Sequence, residues 1–250
     1  MQGRIAQGSI MSDESLNAFA RSYEQDYKHS LDASLMSYWY RRRVAELARG
    51  QSLLELGIGH GKTVHFFSNV FARHLVVEGS KAVIDNFFKS FPDAGCEVVH
   101  GFFEDFNTEE RFDHMSLGFV MEHVDDPVGL LKRFSRFVSS TGSIFISVPN
   151  ATSLHRRFGH AAGLLDDMKT LSREDHKLGH KRFYDQTSLE RDIERAGLRI
   201  LRAEGIFLKP LTTSQIEQLK LPASILEAFL TVGRDYPELC NALFVEVQMA

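Results

Sequence analysis

The chain has 250 residues, of which 43% are hydrophobic and 25% charged, with a formal net charge of −4. This composition supports one large core. The acidic balance argues against a surface that tracks phosphates, so nucleic acid is not an expected partner, and no run reaches the roughly eighteen apolar residues of a membrane span.

Residues 1–11 read as a flexible leader without the apolar stretch of a secretory signal, and Met11 offers a second start. Residues 12–49 are helical in pattern. Leu16, Phe19, Ala20, Tyr23 and Tyr27 recur near helical spacing, and a second helix covers 35–48 before Gly50 stops it. Strands are then expected at 52–56, 74–78, 97–100, 114–119 and 143–148, with helices at 62–72, 81–90 and 127–138. Asp126 caps the last of these helices and Pro127 opens it. Such alternation predicts a mostly parallel sheet with helices on both faces.

Pro149-Asn150 breaks the alternation, and residues 151–182 are polar, His-rich and helix-prone, which predicts a helical insertion. Asp185 to Ser188 cap a helix that Gly197 ends. Residues 200–208 read as a strand, 210–238 as two short helices, and 243–247 as a closing strand. With no internal repeat or low-complexity linker, residues 12–250 are expected to form one domain. Cys96 and Cys240 each begin an apolar run and read as buried thiols, in keeping with a cytoplasmic protein.

The chemistry concentrates in Leu53-Leu54-Glu55-Leu56-Gly57-Ile58-Gly59-His60-Gly61-Lys62-Thr63. An apolar strand ends in a Gly-x-Gly-x-Gly bend and a helix follows. Glycines serve where a strand turns sharply and a ligand approaches the backbone with no Cβ in the way. Glu78 follows Gly57 by twenty-one residues and closes the second strand. A glycine bend beside a carboxylate at the next strand's tip makes a nucleoside pocket, the carboxylate accepting from the ribose hydroxyls. A dinucleotide fingerprint would need a third glycine where Lys62 stands, and a phosphate loop would need its first glycine where Leu56 stands.

The bend, with Glu55 two residues before its first glycine, resembles the first motif of class I S-adenosylmethionine-dependent methyltransferases. Glu78-Gly79-Ser80 is similar to that family's second motif, and His100-Gly101-Phe102-Phe103-Glu104-Asp105-Phe106 to its adenine-side segment. Met121 to Pro127 resembles the segment after the fourth strand, residues 20–27 the N-terminal Tyr-x-x-x-Tyr helix, and Gly179 to Phe183 and Ala196-Gly197-Leu198 the C-terminal signals. The likeness is nearest the small-molecule group that includes ubiquinone, menaquinone and sugar methyltransferases. It implies an α/β, Rossmann-like seven-stranded sheet in the order 3-2-1-4-5-7-6, with strand 7 antiparallel. A helical cap over 12–49 and the insertion over 151–182 would close over the substrate.

The resemblance places S-adenosyl-L-methionine against Gly57, Gly59 and Gly61, with its ribose on Glu78 and Gly79. Phe103, Glu104 and Asp105 surround the adenine; Phe102 stands where relatives often carry an acid, so a carboxylate must come from Glu104 or Asp105. Gly118, Phe119 and Val120 line the methyl-transfer face. Glu55 is either a pocket carboxylate or a packing pair, and Tyr23 and Tyr27 face the sulfonium or the cofactor's carboxylate unless they only pack. Phe106 is a further ring within reach. His123, and after it His180, are the expected general bases, because an imidazole titrates near neutrality. The insertion also carries His155, His160, Asp166, Asp167, Asp175 and His176, yet only His176 and His180 share a helical ligand spacing. No metal is therefore expected, and the insertion reads as a polar lid with Arg156 and Arg157 facing an anionic group. The expected partner is a small-molecule methyl acceptor taken at oxygen or nitrogen, by a monomer or homodimer. A cofactor-binding sensor or scaffold without turnover is the rival reading; a nicotinamide oxidoreductase is opposed by Lys62.

Overall fold

The computed structural model describes residues 30–250. The expected leader, Tyr23 and Tyr27 lie outside the described residues. The chain opens with helix α1 (Ser30–Leu47), followed by β1 (Ser52–Leu56), α2 (Lys62–Phe67), β2 (Arg73–Glu78), α3 (Lys81–Ser90), β3 (Glu97–His100) and β4 (Phe112–Gly118). Then come α4 (Pro127–Ser135), β5 (Val138–Pro149), α5 (Leu154–Ala161), α6 (Arg173–Lys177), α7 (Gln186–Arg195) and β6 (Leu198–Ile206). Helices α8 (Thr213–Leu219) and α9 (Ala223–Gly233) precede the last strand, β7 (Ala242–Met249).

The strands form one seven-stranded sheet in the order β3-β2-β1-β4-β5-β7-β6. β7 runs antiparallel to both neighbours, β5 and β6, and every other pair is parallel. This is the expected order. The central strands β1, β2 and β4 are buried along nearly their whole length, polar residues included, because helices cover both of their faces. In register, Leu54 of β1 lies between Leu75 of β2 and Met115 of β4, all buried. On one face, Phe134 of α4 and Ile193 of α7 pack against this row; on the other, Tyr40 of α1 packs with Phe145 and Phe244. Ser80 and Asp126 accept the N–H groups of Val83 and Gly129, so α3 and α4 begin where the strand tips require.

Several boundaries differ from the sequence expectation, among them the start of α1 at Ser30 rather than 35 and the end of α4 at Ser135 rather than 138, and three others show their cause in the pairing. Helix α2 stops at Phe67 rather than 72, because Asn69 and Val70 donate to the Phe66 and Phe67 carbonyls. These three-residue bonds tighten the chain and turn Phe71 into the core. Strand β5 begins at Val138, pairing with Phe112 across an irregularity in β4. Strand β6 begins at Leu198, which is buried opposite Met249. Cys240 is buried and its thiol donates to the Gly233 carbonyl, whereas Cys96 is half-buried. Among the described residues, no helix is long and apolar enough to cross a membrane.

Helix α1 is fixed over the sheet by polar contacts in dry surroundings. The Tyr40 hydroxyl bonds to Ser116 Oγ (2.8 Å) and donates to the Phe145 carbonyl (3.1 Å). Arg43 reaches β6 and donates twice to Glu204, through Nε and a terminal nitrogen, each at 2.8 Å. Removing Glu204 leaves Arg43 only its contact with the half-exposed Glu46, so most of the buried charge loses its compensation. Glu204→Ala should therefore lower the unfolding free energy by about 3–5 kcal/mol, read by urea titration. An unchanged midpoint would show that the pair contributes nothing to holding α1.

Candidate active site

The order of strands reverses direction between β1 and β4, and a crevice opens there beyond their carboxyl ends, where such sheets bind ligands. A cavity of about 910 Å³ occupies this place. Its first half is built by the bend after β1. Gly57, Gly59 and Gly61 adopt φ of 79°, 53° and 75°, left-handed values that a side chain would strain. The Gly57 N–H donates to the Val77 carbonyl and the Gly61 N–H to that of Ile58, which fixes the curve.

Glu78 ends β2 beside this bend. Its Oε2 accepts the Ile58 N–H at 2.9 Å, and its Oε1 accepts the Ser80 N–H at 2.7 Å. Burial raises its carboxyl above the ordinary range, and the donors at Ile58, Ser80 and Gly79 oppose that shift. Three backbone donors do not fill the four lone-pair sites of the two oxygens, so acceptor capacity remains for a ligand. Gly79 lines the cavity beside it, and Phe103, Glu104 and Asp105 form part of its wall. Glu104 and Asp105 are exposed and free to turn toward a ligand's edge. Phe106 faces away: it is buried in the core and stacks on Phe134 at 5.6 Å. Glu55 reaches the cavity floor, but its Oε2 is bonded to His74 Nε2 at 2.9 Å, and burial raises its carboxyl.

The end of β4 forms the middle of the cavity. Gly118 leaves room for Tyr40: a Cβ there would come within 2.7 Å of the ring. Phe119 is left-handed, with φ of 62°, and its N–H donates to the Ser147 carbonyl at 2.8 Å. A side chain in that region costs of order 1 kcal/mol, and the contact with Ser147 holds it there.

The second half of the cavity draws on distant parts of the chain. Asp32 and Met36 of α1 line it, with Lys209, whose ammonium bonds to Asp32 and to Thr213 Oγ1. Arg156 lies over the Phe183 ring at 4.3 Å and donates to the Met168 and Thr170 carbonyls. Arg157, expected beside it, is exposed and donates to the Thr152 carbonyl outside the cavity. Successive residues on a helix project in different directions, so only one of the pair turns inward.

His123 and His180 meet in this half, their ring centroids 4.8 Å apart. The Lys181 N–H donates to the Glu122 carbonyl at 2.8 Å, which holds the insertion's end against the loop after β4. His180 Nδ1 lies 3.1 Å from Asp175 Oδ1. Burial alone would raise the Asp175 carboxyl, but donors at His180 and Ser172 outweigh it and hold it at about 2. With Nδ1 committed to Asp175, Nε2 presents its lone pair to a hydrogen-bond donor or a cation. Burial first, and the neighbouring His180 second, push His123 down to about 3. Glu122, which the sequence offered only as His123's neighbour, is fully buried, and burial pushes its carboxyl up to about 7. A neutral His123 makes the 4.0 Å approach of His123 Nε2 to Glu122 Oε1 something other than an ion pair.

A model of the methyltransferase domain matches residues 27–203. Cypemycin N-terminal methyltransferase from a Streptomyces species is 24% identical over 141 residues, covering 53% of this chain and 58% of that protein. (S)-coclaurine N-methyltransferase from Papaver somniferum is 27% identical over 150 residues, covering 57% and 41%. The chain thus spans about half the length of these curated relatives. The solved CcbJ methyltransferase from Streptomyces caelestis superimposes with a TM-score of 0.63 at 14% identity, over 94% of this chain and 97% of that one. That likeness concerns the fold.

The Gly118 contact is directly testable. Gly118→Ala drives a methyl group into the Tyr40 ring and should lower stability by about 1–3 kcal/mol, measured by chemical unfolding. A variant as stable as the parent would mean that α1 yields freely at this point.

Proposed function

The chain belongs to the methyltransferase-domain family, and from that premise we propose that it is an S-adenosylmethionine-dependent methyltransferase acting on an oxygen or nitrogen nucleophile of a small molecule. The observation that carries this reading is Glu78 at the rim of the glycine bend, its carboxylate fixed by Ile58 and Ser80 with lone pairs to spare. A ribose diol suits those lone pairs. The left-handed glycines let the methionine half of S-adenosylmethionine lie against backbone, and Glu55 supports the bend from below with one oxygen committed to His74. Phe103, Glu104 and Asp105 take the adenine, and Gly79 gives the ribose room. Gly118 and Phe119 flank the reacting methyl.

When bound, the cofactor supplies an electrophilic sulfonium methyl. The protein's part is placement and exclusion of water, since an in-line displacement gains most from alignment. The acceptor lies under α1, with the 151–182 segment as its lid. His123 and His180 are the side chains that face its nucleophile, and Arg156 faces any anionic group it carries. Nitrogen is supported by the two sequence relatives, one named for an N-terminus and the other for N-methylation.

Glu78→Gln keeps the shape and removes the charge. Hydrogen bonds to a charged group are worth about 1.5–3 kcal/mol, so calorimetric affinity for S-adenosylmethionine should fall by roughly 10–100-fold. Undiminished affinity would contradict this assignment of the pocket.

A further inference from the structure

Glu122 presents an unresolved charge. Both of its carboxylate oxygens are buried without a hydrogen-bond partner, and its side chain is 1% exposed. Buried polar groups in folded proteins are almost always satisfied, and an unpaired carboxylate in a dry site is costly. The nearby side-chain cations are committed elsewhere. Arg182 donates to the carbonyls of Met121, Val124 and Asp125, and Lys181 pairs with Asp125.

What faces Glu122 is a pair of imidazoles. One donor atom from each of Glu122, His123 and His180 lies within 4.8 Å of the other two. The 4.0 Å between Glu122 Oε1 and His123 Nε2 is too long for a hydrogen bond. Ligand atoms about 2.0–2.1 Å from a shared tetrahedral ion stand about 3.3–3.4 Å apart, so these side chains would close by about 0.5–1.5 Å around the ion they bind. His180 carries the support that metal-binding histidines usually have. Its Nδ1 is held by Asp175, and Asp175 accepts from the Ser172 N–H and hydroxyl in the α6 capping box. A carboxylate behind the ring fixes the tautomer and leaves Nε2 as the ligand atom.

We propose that Glu122, His123 and His180 bind a first-row divalent cation, Zn²⁺ or one of similar preference, with Asp175 as the positioning residue behind His180. Two nitrogens and one oxygen suit such an ion, whereas Mg²⁺ and Ca²⁺ favour oxygen ligands. Three protein ligands leave a coordination position open. All three residues line the cavity, so that position faces the space assigned to the acceptor. The ion there would hold the acceptor's oxygen or nitrogen in line with the methyl group. This role rests on the methyltransferase reading; the binding of the ion does not. The imidazoles then act as ligands, in place of the general bases expected from their chemistry alone.

The test uses the full chain, stripped with a chelator, dialysed, and titrated with Zn²⁺ by calorimetry, with metal content measured after gel filtration. The expected result is one tight equivalent, and for Co²⁺ a visible spectrum of histidine ligation. Glu122→Gln and His180→Ala should each abolish that equivalent, Asp175→Asn should weaken it by about 10–100-fold, and His176→Ala, an exposed residue of α6, should leave it intact. The parent's stoichiometry and Co²⁺ spectrum need no variant, so a misfolded mutant does not shield the idea. No tight equivalent in the parent, or one that persists in both ligand variants, overturns it. Cofactor affinity measured on the same samples keeps the two readings apart: intact cofactor binding without metal binding sinks only the metal site.

Discussion

The site depends on one carboxylate joining two turns. Glu78 receives the Ile58 N–H from the bend after β1 and the Ser80 N–H from the start of α3. The two strand tips are thereby held at a fixed separation, and the left-handed glycines keep their curve beside an anion. Without this contact the bend would lose a buried hydrogen bond and the crevice its wall. The sheet order places the bend at the reversal between β1 and β4, so the topology creates the crevice and Glu78 shapes it.

The opposite wall is assembled by a different means. Helix α1 is seated by Tyr40 and Arg43, whose polar ends find partners in the core, and Gly118 is bare where the Tyr40 ring approaches. Phe119 is held in a strained conformation next to that contact. Strain at a non-glycine residue persists only where its surroundings over-determine it, and here it lies at the middle of the cavity. The insertion completes the enclosure: the Lys181 backbone bonds to Glu122, which brings His180 against His123.

Much of the first half could be read from the sequence because its signals are local. The apolar run, the spaced glycines and Glu78 lie within one strand–helix–strand unit, and the sheet order followed from the family resemblance. The second half could not be read in this way. Asp32, Glu122, His180 and Lys209 come from separate elements, and only packing brings them together. The burial that makes Glu122 unusual comes from that packing. Arg156 and Arg157 look equivalent in sequence, and the helix turns one inward and one out. Phe106 reads as a pocket ring but stacks in the core. Helix α2 ends early because its last turn tightens, which periodicity does not register.

The most direct measurement is a crystal structure of the chain soaked with S-adenosylhomocysteine. The account predicts both ribose hydroxyls within hydrogen-bonding distance of Glu78, the thioether beside Gly118 and Phe119, and the amino-acid tail along the glycine bend. A ligand bound elsewhere, or an empty bend at saturating concentration, would contradict it.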